Sequence, residues 1–199
     1  MKKEDIRKTR TRRSLKKALG QLLTKNSIEQ LSVIDICEVA EINRVTFYSH
    51  YKDKYELLYD LLTDLINFID DASANYLDKN RTDDPIRDYA NTMSHAVYKI
   101  CFENRKILQS IGKQENSIFM KMLEDIIIKN GLKKFVNLDK KLTLKYPPEF
   151  ILKFIIGGFS HLIFGWGLKE DIPEAEFFKH FDELLYSVLK NNIFYATTE

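Results

Sequence analysis

From Tyr55 to Tyr76 the apolar residues Tyr55, Leu58, Leu62, Leu65, Ile66, Ile69 and Tyr76 fall on one face of a helix, mostly three, four or seven residues apart. At about 1.5 Å per residue, a helix over 54–79 is a rod of roughly 40 Å. Nothing resembling a linker separates it from the shorter segments before it, so the rod belongs to both halves of the chain. The same spacing recurs almost throughout, and no alternating strand pattern survives a pass along the sequence. Leu15, Ala18, Leu19, Leu22 and Leu23 form the stripe of a first helix at 4–24. Short helices follow at 32–40 and 44–50, and further ones at 84–103, 105–111, 117–141 (weakened by Gly131), 149–168 and 173–191. The expected fold class is all-α, with about nine helices, no sheet and no internal repeat. Two units are expected, residues 1–53 and residues 54–199.

With 44% hydrophobic and 30% charged residues, the 199-residue chain has ample apolar matter for a core. Two cysteines, Cys37 and Cys101, do not make a disulfide scaffold and suit a reducing compartment. The basic N-terminus leads into no apolar run, so no secretory signal is expected and the chain is placed in the cytoplasm. The longest apolar stretch, Phe154 to Leu168, carries His161 and four glycines, Gly157, Gly158, Gly165 and Gly167. It is shorter than the roughly 20 residues that span a bilayer, so it reads as a buried or interface helix.

Charge is unevenly distributed. Residues 1–54 carry 13 Lys/Arg against 7 Asp/Glu, whereas the remainder carries 18 against 22. Positive charge gathered at one end suits a polyanion, although a solvated basic tail has the same composition. The local pattern is more specific. Ser32 with Asp35 three residues on forms a capping arrangement, Glu41-Ile42-Asn43 interrupts the periodicity, and Asn43 is a good cap for 44–50. Two short helices joined by three residues are a helix-turn-helix pattern. On the second, Phe47 and Tyr51 share the inward stripe with Ile42 nearby. Arg44, Tyr48, Val45, Ser49, Thr46 and His50 face outward, combining a cation, hydrogen-bonding groups and small apolar contacts. That set suits base edges beside phosphates: Arg44 can bond guanine bidentately, and Val45 and the Thr46 methyl suit a thymine methyl. Tyr48, His50 and Lys54 sit where hydroxyl, imidazole and ammonium would meet phosphates, Lys54 at the N-terminus of the rod. Thr46 can equally bond back to its own helix, and His50 can cap the helix end.

The run from Ala40 to Leu58 resembles the TetR/AcrR family of bacterial transcriptional regulators. Ala40, Thr46, Tyr48, His50, Lys54, Glu56 and Leu57 match or nearly match its motif, and the detailed match covers about residues 8–58. Asn43 stands for the family's serine, Phe47 for leucine and Tyr51 for phenylalanine. Glu41 replaces the turn glycine, so the backbone there either avoids positive φ or accepts strain. The resemblance implies a homodimer that reads a palindromic double-stranded DNA operator, most simply as a repressor. Arg12, Ser32, Asn43, Arg44, Val45, Thr46, Tyr48, His50 and Lys54 are its expected DNA contacts.

In the C-terminal helices, Gly157 and Gly158 permit close helix approach, and Phe154 with the other aromatics supplies contact area. The resemblance implies a four-helix bundle between two subunits, with Phe154, Gly157, Gly158, His161, Phe181 and Leu185 at the interface. It also implies a small-molecule ligand that weakens operator binding. Met93, Tyr98, Phe102, Phe119, Met122 and Trp166 suit a small apolar or aromatic ligand, and suit a core equally. No cofactor is expected. His50, His95, His161, His180 and the two cysteines show no metal-ligand spacing, and no phosphate-binding, nucleophile-elbow or zinc-protease motif appears, so no enzyme activity is expected. The rival readings are an activator or ligandless DNA-binding protein whose C-terminal half binds another protein, and an all-helical small-molecule carrier with an incidental basic end.

Overall fold

The N-terminal helices start where a side chain satisfies their first amides. In the computed structural model, which describes residues 3–80, 82–103, 105, 108–109, 117–136, 143–163, 165 and 173–195, α1 spans Lys3–Leu23. Ser32 caps α2 (Val33–Ala40): its hydroxyl accepts from the Asp35 amide, and Asp35 accepts from the Ser32 amide at 2.7 Å. Asn43 caps α3 (Arg44–Tyr48), its Oδ1 accepting the Val45 amide at 2.8 Å. Asp53 caps α4 (Lys54–Asn80) by accepting the amides of Tyr55 and Glu56, and Glu56 reaches back to the Lys52 amide at 2.6 Å. Asp84 does the same for α5 (Pro85–Glu103), where proline at the first position loses no needed donor.

Three longer helices follow: α6 (Ser117–Val136), α7 (Pro148–Leu162) and α8 (Glu174–Val188). That makes eight helices among the described residues, and the fold is all-α. α6 runs straight through Gly131. Of the expected helix at 105–111, residues 105, 108 and 109 are helical and the rest lie outside the described residues. After α7, Ile163 and Gly165 adopt the wider π geometry, as does Leu189–Ile193 after α8. The expectation of no sheet needs a correction. Thr143–Leu144 (β1) pairs antiparallel with Phe194–Tyr195 (β2), Thr143 opposite Tyr195. Two residues per strand carry no periodic signal, and their pairing brings together segments far apart in the chain.

Two apolar clusters organise the helices. The first joins Leu15, Ala18, Leu19 and Leu23 of α1, Ile36 of α2, Phe47 of α3 and Leu57, Leu58, Leu62 and Ile66 of α4. Ile126 of α6 is buried in the same cluster, with Met122, Leu123 and Ile127 packed against it. The C-terminal half therefore contributes to the same core, by packing on α4. The second cluster joins Ala90 of α5, Ile151, Leu152 and Phe159 of α7, and Phe177, Phe181 and Leu185 of α8. Phe181 and Leu185, expected at a subunit interface, are thus buried inside the protomer. Positions 177, 181 and 185 lie one turn apart and face α5 and α7, with the Phe159 and Phe181 rings 4.7 Å apart. A polar clamp reinforces this packing. Arg87 pairs with Asp182 at 3.1 Å and stacks 3.4 Å over the Tyr186 ring, while the Tyr186 hydroxyl donates to Asp84 at 2.6 Å.

Candidate nucleic-acid interface

The turn between α2 and α3 sets how α3 is presented. Ile42 N–H donates to Cys37 C=O at 3.0 Å and Glu41 N–H to Glu38 C=O at 3.2 Å, the two bonds of a Schellman stop. The residue that closes it must be left-handed, and Glu41 is, at φ 56° and ψ 41°. It is the one non-glycine residue with positive φ among the described residues. The backbone therefore keeps the geometry that glycine normally supplies and accepts the strain of a β-carbon there. Because Glu41 is exposed, Glu41→Gly is expected to stabilise the fold by about 1 kcal/mol. Urea unfolding would show this as a raised midpoint. An equal gain from Glu41→Ala would mean the side chain, and not the backbone, is at fault.

α3 divides as its spacing dictates. Phe47 and Tyr51 are buried, with ring centroids 5.9 Å apart. Arg44, Val45, Tyr48 and Ser49 are exposed, Thr46 and His50 partly so. Val45 is 79% exposed and Tyr48 51%, an unusual amount of apolar surface on so short a helix. The Tyr48 ring is held edge-on to Phe47 at 5.4 Å, so its hydroxyl end projects from a fixed base. Arg44 makes no ion pair among the described residues.

The flanking residues are more committed than their spacing suggests. The Ser32 hydroxyl donates to Asp35 Oδ2 at 2.7 Å and accepts the Asp35 amide, so it is occupied by the cap. Arg12 pairs with Asp60 at 3.0 Å and donates to the Tyr51 hydroxyl at 3.3 Å. The Lys54 ammonium donates to the carbonyls of Glu29 at 3.0 Å and Leu31 at 2.7 Å. These bonds use two of its three N–H donors, so a phosphate contact would fall to the third.

A polar hub ties α1 and α4 to the end of α3, and sequence reasoning missed it. Asp60 accepts from the Tyr51 hydroxyl at 2.6 Å and pairs with Arg12 and Lys16; Lys16 also pairs with Asp64. Burial disfavours the Asp60 charge, but hydrogen bonds from Tyr51 and Arg12 and the nearby cations outweigh it, and its pKa falls below the ordinary carboxylate value. Burial, followed by the bond to Asp60, pushes the Tyr51 phenol upward. A tyrosine at a buried position needs a partner for its hydroxyl, and that was the available signal.

Burial, followed by the charges of Arg12 and Lys8, lowers the His50 pKa below its ordinary value. The imidazole is therefore neutral at pH 7. A phosphate beside it would favour the imidazolium, so a DNA complex takes up a proton and affinity rises as pH falls through the window between the free and bound pKa values. DNA titrations across pH 5.5–8 are expected to show this rise, up to about tenfold per pH unit within that window, and to lose it in His50→Gln. An unchanged pH slope in the variant would remove His50 from the phosphate contacts.

In the C-terminal half, Phe154 is 64% and Phe150 62% exposed on the outer face of α7. Gly157, Gly158 and His161 continue that face, and a β-carbon on either glycine would meet no atom within 4 Å. Leu184 of α8 is likewise exposed. Of the residues expected to line a ligand pocket, the two described methionines pack on different clusters. Met93 packs on the second cluster, Met122 on the first, and the Tyr98 ring stands edge-on to Phe178 at 5.5 Å. The side chains of Phe102 and Phe119, and all of Trp166, lie outside the described residues. An open groove of about 430 Å³ lies instead between α1 and α4, lined by Arg13, Lys16, Lys17, Gln21, Leu61 and Asp64 among others. Among the described residues, no cluster of three His, Cys, Asp or Glu side chains can hold a metal, and no helix is long and apolar enough to cross a membrane.

No protein-family model matches the chain. The transcriptional activator DhaS of the dhaKLM operon in Lactococcus lactis is 36% identical over 67 residues, 33% of this chain and 36% of that protein. The chain thus matches about a third of that relative's length. Solved structures agree over far more of the chain. A putative TetR-family regulator from Syntrophomonas wolfei superposes with a TM-score of 0.67 at 18% identity, covering 90% of this chain and 94% of that one. The fatty acid degradation regulator FadR from Bacillus halodurans gives 0.65 at 16% identity, covering 90% and 96%. RolR in complex with resorcinol gives 0.62 at 18% identity, covering 92% and 89%. The fold is that of the TetR-type transcriptional regulators.

Proposed function

We propose that the chain is a TetR/AcrR-type transcriptional regulator that binds a palindromic operator as a homodimer and is released from it by a small molecule. The observation that carries the reading is the outward face of α3. A short helix, entered from a tight turn, presents Arg44, Val45, Thr46, Tyr48 and His50 to solvent over an aromatic base, which is what entry into a major groove requires. Residues 1–53 read DNA, and residues 54–199 supply the dimer and ligand functions, in the cytoplasm. The outer face of α7 around Phe154, Gly157, Gly158 and His161 is the dimer surface, and the second subunit places its own α3 about 34–36 Å away, one helical turn along the duplex. The resorcinol complex of RolR supports a small-molecule effector. Such a ligand acts through its differential affinity for the DNA-bound and free geometries.

Anisotropy titration against the DNA immediately upstream of the chain's own gene, at two salt concentrations, tests the reading. Tight, competitor-resistant binding that falls with salt is expected; affinity equal to that for random DNA, there and in genomic selection, would refute it. A second reading, activation instead of repression, is favoured by the likeness to the activator DhaS. A promoter-reporter strain with and without the gene separates the two by the sign of the change.

A further inference from the structure

We infer that Val45 sets operator specificity by reading the C5 methyl of a thymine in each half-site, within one or two base pairs of the guanine assigned to Arg44. The inference deepens the DNA-binding reading and rests on it. At 79% exposure, Val45 is the most exposed large apolar residue among the described residues. It is the second residue of α3, at the end that a recognition helix turns toward base edges. Thr46, the other α3 residue with a methyl to offer, is partly buried. Asn43 Oδ1 accepts the Val45 amide at 2.8 Å, which fixes the backbone there. A β-branched side chain on a helix then keeps one strongly preferred rotamer. Val45 therefore holds two methyls at a set place in water, with little side-chain freedom to lose on contact.

The chemistry of the groove decides what such a side chain can meet. Valine brings neither donor nor acceptor, so in a major groove it covers whatever base edge lies opposite. Against guanine, adenine or cytosine it strips water from ring nitrogens, carbonyls or amino groups and returns no hydrogen bond. The thymine methyl is the apolar group that the groove presents, and there the contact removes apolar surface from water on both sides. Selectivity comes from the gain at thymine together with the desolvation penalty elsewhere. The spacing fits as well. Consecutive Cα atoms lie about 3.8 Å apart and stacked base pairs about 3.4 Å, so Arg44 and Val45 address neighbouring steps of the duplex. Arg44 supplies the hydrogen bonds of that reading and Val45 the apolar contact.

Deoxyuridine in place of thymidine removes that methyl and leaves every hydrogen-bonding group of the base pair in place. The full chain and its Val45→Ala variant are titrated, at two salt concentrations, against random DNA and against the operator fragment found by anisotropy or genomic selection. The operator carries the replacement at one symmetry-related pair of thymines at a time. At the pair read by Val45 the wild-type chain should lose about fourfold in affinity for each methyl, about fifteenfold for the two half-sites together. Val45→Ala should bind the unmodified operator more weakly and show no further loss with deoxyuridine at that pair. Its salt slope should match the wild type, since no charge is removed. A deoxyuridine penalty that persists undiminished in Val45→Ala would overturn the inference, because another side chain would be reading the methyl. An operator in which no thymine methyl matters to the wild-type chain would overturn it too. Wild-type binding no tighter to any selected fragment than to random DNA would instead sink the DNA-binding reading, and this inference with it.

Discussion

Arg44→Ala is expected to lower operator affinity by about 1–3 kcal/mol per half-site while leaving affinity for random DNA nearly unchanged. Arg44 is the first residue of α3, and in the proposed reading that end of the helix meets base edges. It is exposed and makes no ion pair among the described residues, so binding need not break an internal bond to free it. Its planar fork matches the paired acceptors of guanine, and alanine removes both hydrogen bonds together. In the proposed dimer two subunits carry the loss twice, so affinity falls between about thirtyfold and about twenty-thousandfold if the half-sites are independent. The variant's fold should be intact, because the Asn43 cap and the Phe47 anchor do not involve the guanidinium. A parallel drop on operator and random DNA would reassign Arg44 to the phosphate backbone. An unchanged operator affinity would remove it from the interface.

What the chain discloses before folding depends on distance along it. The caps at Ser32, Asn43, Asp53 and Asp84 act over two or three residues, and each begins a helix where expected. The inward stripe of α3 follows from its spacing for the same reason. Glu41 posed a question that sequence does not answer, because the Schellman bonds beside it compete with the cost of a left-handed residue, and here the bonds win. Tertiary partners were not legible. Nothing near Lys54 in sequence announces the carbonyls of Glu29 and Leu31, and nothing near Tyr51 announces that Asp60 will meet its hydroxyl.

Apolar stripes are ambiguous in a different way. The spacing of Phe177, Phe181 and Leu185 says that one face of α8 is covered, but not whether by the same subunit or another, and here α5 and α7 cover it. The face left over on α8 is marked by Leu184 instead. Met93 and Met122 carry the composition of a ligand site, yet pack on separate clusters, because core and pocket ask for the same side chains. The burial of Ile126 in the N-terminal cluster was equally unannounced. It couples α6 to α4 in one core, which gives a change in the C-terminal half a packed route to Lys54 and Asp60.

On the proposed dimer, Phe154→Glu is expected to have the largest effect of all, separating the subunits and reducing operator affinity by about two orders of magnitude or more. Phe154 lies 64% exposed in the middle of the α7 face, between Phe150 and the bare backbone of Gly157 and Gly158. Leu162 further along α7 and Leu184 of α8 are exposed as well, and large apolar side chains left in water mark a surface for a partner. A two-fold interface repeats every substitution, so two carboxylates would be buried without partners, at several kcal/mol each. The subunit itself should stay folded, since Phe154 takes no part in either core cluster. Once separated, each subunit binds one half-site alone and loses the effective concentration that holds its partner on the second, a factor of about 10²–10⁴. Sedimentation velocity with an operator titration on the same preparation checks both parts. A variant that sediments as wild type would place the dimer surface elsewhere, whereas a monomeric variant with undiminished affinity would show that one α3 suffices to read the site.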